Sequence, residues 1–149
     1  MVQITSIEQL RDKTGFPNPL SEQKIYDHLF AEAKQFIAAS PLLFLASNNK
    51  AGHCTVSPKG DAAGFVFVED DKTLLLPDRP GNKLAHGLTN IIETGEVGLI
   101  FLIPGMDETL RVNGTCTIHD DADLCEKLSA RGRPAELVLK VKVRDCFLH

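Results

Sequence analysis

Apolar residues recur along this chain with two different periods, and the switches between them divide it into elements. Ser6 followed three residues later by Gln9 has the form of a capping box, which predicts a helix from Ser6 to near Gly15. Pro17 and Pro19 break the chain after it. Ile25, Leu29, Ala33, Phe36 and Ile37 then return on one face at helical spacing, so a second helix is predicted from Ser21 to about Ala39, stopped by Ser40-Pro41.

From Leu42 the period shortens. Leu42 to Ser47, the turn Asn48-Asn49-Lys50-Ala51-Gly52, and His53 to Ser57 predict a β-hairpin, and Phe65 to Glu69 with Lys72 to Leu76 predict a second around Asp70-Asp71. Four short strands in succession suggest an antiparallel meander. Asn82 can cap a helix whose apolar positions are Leu84, Leu88, Ile91 and Ile92, ending at Gly95. Val97 to Ile103 is apolar at every position but Gly98, the mark of a strand covered on both faces, with a partner subunit as the simplest outer cover. From Thr109 to His119, Leu110, Val112, Cys116 and Ile118 lie on one face and Thr109, Arg111, Asn113 and Thr115 on the other. A short helix from Asp121 to about Ala130 precedes a strand in which Leu137, Leu139, Val141 and Val143 alternate with Val138, Lys140, Lys142 and Arg144. About seven strands and few helices give a mainly β fold, a barrel or a sandwich.

Composition narrows the class. The chain has 149 residues, 43% apolar and 24% charged, which fits a single domain over residues 1–149 with a helical N-terminal extension over about 1–40. Sixteen Lys and Arg against twenty Asp and Glu leave a net charge of −4, which argues against a broad basic face for nucleic acid. The first fifteen residues carry Glu8, Arg11, Asp12 and Lys13 and no apolar leader, and the longest apolar run is too short to span a bilayer. Cys54, Cys116, Cys125 and Cys146 form no CxxC pair. The expectation is a soluble, cytoplasmic protein with reduced thiols.

The portable motifs are missing: no GxG of a dinucleotide fold, no Walker A loop, no HExxH, GxSxG or CxxC. Cys116/His119 and Cys146/His149 have a zinc-like look, but residues three apart on a strand point to opposite faces, so no metal site is expected. Three cationic features remain. Pro77-Asp78-Arg79-Pro80-Gly81-Asn82-Lys83 sets two cations around a predicted helix start, a receptor for phosphate or equally a stiff turn and N-cap. Ser57-Pro58-Lys59-Gly60-Asp61 can line a cofactor with backbone N–H groups, or be a solvated loop. Arg111 on the polar strand face is the third.

Taken in order, SPKGD at residues 57 to 61, LLLPDRPGNK at 74 to 83, VGLIFLIPG at 97 to 105 and ETLRVNG at 108 to 114 resemble the pyridoxamine 5′-phosphate oxidase class of flavin proteins. The likeness is narrower to its subgroup of FMN-dependent enzymes, and it runs from about Ser21 to the C-terminus. It implies a split β-barrel homodimer with FMN at the subunit interface. Cys54 to Lys59, including Val56, Ser57 and Pro58, would run along the isoalloxazine, and Leu76 and Pro77 would flank it. Arg79, Asn82 and Lys83 would hold the phosphate, while Thr109 and Arg111 lie on the strand that reaches the flavin from the same or the other subunit.

Characterised pyridoxamine phosphate oxidases of the class also carry a C-terminal Arg-x-His element and a Tyr/Arg/Ser set for their substrate's phosphate. Neither is present here, so the resemblance implies a flavin-dependent oxidoreductase with a different small-molecule substrate. Relatives continue beyond the strand that closes at His149, which implies a further C-terminal segment with Trp and Arg. In such enzymes hydride passes to or from flavin N5 and no side-chain nucleophile is required; no catalytic residue is assigned, although Lys59 or Arg111 could stabilise charge at the flavin N1 and O2 edge. The alternatives are an F420-dependent reductase of the same fold and a non-catalytic flavin-binding or sensing module.

Overall fold

The computed structural model describes residues 2–81 and 83–149, apart from the side chains of residues 20 and 21. Helices α1 (Ile7–Thr14), α2 (Pro19–Glu22) and α3 (Ala31–Ala39) precede strands β1 (Leu42–Asn48), β2 (Cys54–Gly60), β3 (Phe67–Asp70) and β4 (Thr73–Asp78). Helix α4 (His86–Thr94), strands β5 (Glu96–Leu102) and β6 (Leu110–His119), helix α5 (Ala122–Lys127) and strand β7 (Leu137–Leu148) complete the chain. Among the described residues the seven strands form one antiparallel sheet in the order β2-β1-β5-β6-β7-β4-β3. No described helix is long and apolar enough to cross a membrane.

The first helix follows its sequence signals: Ser6 accepts the Gln9 N–H as N-cap, and Gly15 ends the helix with a φ of 70°. The second does not run unbroken from Ser21. It gives way to extended backbone at Tyr26, which exchanges both backbone hydrogen bonds with Cys146 of β7, at 2.9 and 2.8 Å. Pairing with a strand wins over the helical period there, and α3 begins at Ala31.

The four early strands are not a meander. β1–β2 and β3–β4 are hairpins at opposite ends of the sheet, because the free edge of β1 pairs with β5 and that of β4 with β7. Residues 61–66 between them form a loop instead of a tight turn, anchored where Gly64, at φ +77°, donates to the Ser40 carbonyl.

Inward-facing Leu43, Leu45, Leu74, Leu76, Val97, Leu99, Phe101, Leu110, Val112, Leu139 and Val141 pack with Leu29, Ala33, Phe36 and Ile37 into the main core. β5 is covered on one face only within a single chain: Val97, Leu99 and Phe101 are buried, while Ile100 on the other face is exposed. Burial pushes the thiols of Cys116 and Cys146 up to about 12, with Lys59 drawing the first partly down and Asp145 raising the second further. A smaller core lies on the outer face, where Leu75 and Val138 are buried with Cys125 and Leu128 of the α5 region and with Ala135.

The alternation predicted for the last strand ends at Arg144 because β7 carries a bulge there: Asn113 pairs with Asp145 and Gly114 with Val143, leaving Arg144 extra. Up to the bulge the main core takes the odd-numbered positions Leu139, Val141 and Val143; beyond it the buried residue is the even-numbered Cys146.

Candidate functional site

The two candidate cationic stretches meet although their strands do not pair. β2 is an edge strand and β4 lies toward the opposite end of the sheet, yet the curled sheet brings their C-terminal ends together. Side chains join them reciprocally. Lys59 of β2 donates to the Asp78 carboxylate of β4, and Arg79 reaches back so that its Nε and Nη2 each lie 3.2 Å from Asp61 Oδ2.

Helix α4 closes a third side. Asn90 is buried and donates to Ser47 Oγ at 3.2 Å, and Thr94 Oγ1 donates to the Asn48 carbonyl at 2.9 Å, so the helix is pinned to β1. Gly87 faces β2 at this junction, where a Cβ would make an ordinary contact 3.6 Å from Ser57 Oγ. The helix starts at His86, with Ala85 at the N-cap position in left-handed backbone and no side-chain cap. The expected cap, Asn82, lies outside the described residues and sits too early in the chain to cap a helix that begins at His86.

Between these elements lies a cavity of about 590 Å³. Its polar wall is Ser57, Lys59, Asp78, Arg79, Lys83, His86 and Glu136; its apolar wall includes Leu45, Leu88, Ile91, Leu137 and Leu139. A second cavity of about 260 Å³ shares Pro58, Lys59, Asp78 and Arg79 with it and adds Asp61 and Pro77. Of the sequence-predicted residues, Ser57, Pro58, Lys59, Arg79 and Lys83 therefore share one wall, with Pro77 next door.

Four others stand apart or take a different setting. Val56 is on the exposed side of β2, and Leu76 is fully buried in the main core. Thr109 exchanges backbone hydrogen bonds with His149, and Arg111 pairs across to Ile100 and Phe147, both away from the cavity within one chain. Sequence reasoning missed His86 and Glu136 as wall residues and the pairing roles of Asp61 and Asp78. Each stretch sets one acid beside one cation, Lys59-Gly60-Asp61 and Asp78-Arg79, but the pairs form crosswise between the stretches, which no local pattern shows.

Among the described residues two arginine nitrogens are closed off from solvent without a hydrogen-bond partner, Nη1 of Arg79 and Nε of Arg111. Leaving such a donor unpaired costs about 1–3 kcal/mol. An anion accepted at Arg79 would relieve that cost. The donor set of Lys59, Arg79 and Lys83 beside apolar Leu88, Ile91 and Leu137 fits a ligand with an anionic end and a flat apolar body.

Fold and cavity together define a protein of the split-barrel class. The sequence model of the pyridoxamine 5′-phosphate oxidase family matches residues 29–149, and the chain belongs to that family. A search of curated proteins found no sequence match. Among solved structures, a variant of HupZ from Group A Streptococcus is similar at 19% identity, over 81% of this chain and 99% of that one, with a TM-score of 0.66. An FMN-binding protein from Syntrophomonas wolfei is similar at 12% identity, over 95% of both chains, with a TM-score of 0.56. HutZ, the haem storage protein from Vibrio cholerae, is similar at 16% identity, over 81% of this chain and 93% of that one, with a TM-score of 0.50. Likeness at these identities concerns the fold alone.

Proposed function

We propose that the chain binds FMN in the cavity between β2, β4 and α4 and works in the cytoplasm as an FMN-dependent oxidoreductase on a small organic substrate. The observation that carries this reading is the convergence of Lys59, Arg79 and Lys83 on one cavity wall, with Arg79 Nη1 buried and unpaired. Arg79 and Lys83 hold the phosphate, Ser57, Pro58 and Lys59 line the ring system, and Leu88, Ile91 and Leu137 exclude water from it. Bound FMN supplies two-electron transfer at its N5 position. The protein's own part is binding, orientation and the electrostatic environment, with Lys59 placed to stabilise negative charge on the bound ring.

The assembly in this reading is a homodimer. Pro58, Phe44, Ile100, Arg111 and Phe147 are successive partners across five strands on the outer face, and Phe44 and Ile100 are exposed. A second copy covering this row would shield Ile100 and bring Thr109 and Arg111 toward its partner's cavity. The Nε of Arg111, unpaired within one chain, supports that arrangement.

The test is an absorbance titration of the purified protein with FMN, with molar mass from light scattering. The expected result is stoichiometric FMN uptake by a dimer, and an approximately 100-fold loss of affinity in the double variant Arg79→Ala, Lys83→Ala, the effect of two charge-assisted contacts. Uptake of F420 in place of FMN, or of haem with its intense Soret band, would replace the cofactor in this reading. FMN uptake with no turnover by reduced nicotinamide or oxygen would leave a flavin-binding module.

A further inference from the structure

Arg79 offers an anion only what its neighbours leave free, and Asp61 controls that. The Asp61 carboxylate is fixed by its own loop: Oδ1 accepts the Ala62 N–H at 2.9 Å, and the Asp61 N–H donates to the Pro41 carbonyl at 3.1 Å. Its side chain is only 13% exposed. Both Nε and Nη2 of Arg79 then converge on the remaining oxygen, Oδ2. A planar guanidinium held through two of its nitrogens has little freedom to turn, and the third, Nη1, is the one without a partner.

We infer that Asp61 is a positioning residue that holds the Arg79 guanidinium in place on the cavity wall, where it meets the phosphate monoester end of the cofactor. The inference rests on the reading of this cavity as the FMN site. It also gives a sign that simple charge arithmetic reverses. A carboxylate near an anion site repels the anion, so an Asp61 that acted only through its charge would weaken phosphate binding, and its removal would tighten it. A positioning Asp61 does the opposite.

Riboflavin, which lacks the phosphate, is the control ligand. FMN and riboflavin are titrated into the full-length protein and into the variants Asp61→Asn and Asp61→Glu, with the thermal midpoint recorded for each. Asp61→Asn is expected to lose about tenfold in FMN affinity, the size of one misaligned charge-assisted hydrogen bond, while riboflavin affinity stays within about twofold. Asp61→Glu keeps the charge and displaces the guanidinium by one methylene, so the same selective loss is expected there; it also decides the matter if the Asn variant fails to fold. FMN affinity unchanged or raised in the folded variants would overturn the role of Asp61. Wild-type protein that binds neither flavin, or both equally well, would overturn the FMN reading and this inference with it.

Discussion

The outer face of the sheet is treated differently at its two ends. Around β4 and β7 it is covered within the chain: Leu75 and Val138 are fully buried against Cys125 and Leu128, and Lys127 stands 3.8 Å over the ring of Phe67. Around β1, β5 and β6 it carries Phe44 and Ile100, both exposed, and the half-buried Arg111. The difference teaches where the fold is self-sufficient. One end has its own lid in α5; the other presents an apolar row interrupted by a single cation, the kind of surface another protein copy covers.

The largest expected contrast is in stability. Leu75→Ala, under α5, should cost about 3 kcal/mol in urea unfolding, independent of protein concentration, because it empties a closed core. Ile100→Asp should leave the stability of the isolated chain within about 0.5 kcal/mol yet convert a dimer to a monomer in light scattering, since it changes only the uncovered end. A dimer that survives Ile100→Asp would break the comparison.

The core beneath both ends supplies a pH test. Cys116 and Cys146 stay protonated in the folded chain up to about 12, whereas exposed thiols in the unfolded chain ionise near 9. The unfolded state thus binds fewer protons between pH 9 and 12, so stability should fall as pH rises through that window. Cys116→Ala together with Cys146→Ala should flatten the fall in pH-dependent unfolding curves. The smallest effect is expected at the lid's edge: Lys127→Ala should lose about 0.5 kcal/mol by removing the cation over Phe67.

Much of this was legible in the sequence. The face alternation of β6 and the cap of α1 follow from local pattern, because each depends on residues a few positions apart. The meeting of residues 57–61 with 77–83 was reachable only through family resemblance, since it is made by the curl of the sheet. Three features escaped for the same reason. The strand order, the loss of helix at Tyr26 and the Lys59–Asp78 and Arg79–Asp61 pairs are all set by contacts between segments distant in sequence. The start of α4 escaped on local grounds, because Ala85 takes a left-handed conformation that its side chain does not announce.

The bulge at Arg144 has a consequence for how this gene can change. In a regular strand the loss of one codon sends every later side chain to the opposite face. Arg144 is different, because its neighbours Val143 and Asp145 already pair with the consecutive residues Gly114 and Asn113. In-frame loss of this codon would join those two neighbours into an ordinary ladder, keep Cys146 on the inner face, and forfeit the Arg144–Glu96 ion pair on the surface. Loss of the codon for Lys142, two places earlier, would come before the bulge and throw Val143 out of the core. Gly114 is tied to the longer form, since a Cβ there would stand 2.0 Å from the Lys142 carbonyl oxygen. Homologous chains that differ in length within this strand should therefore differ at Arg144, and those that have lost it are free to carry a side chain opposite.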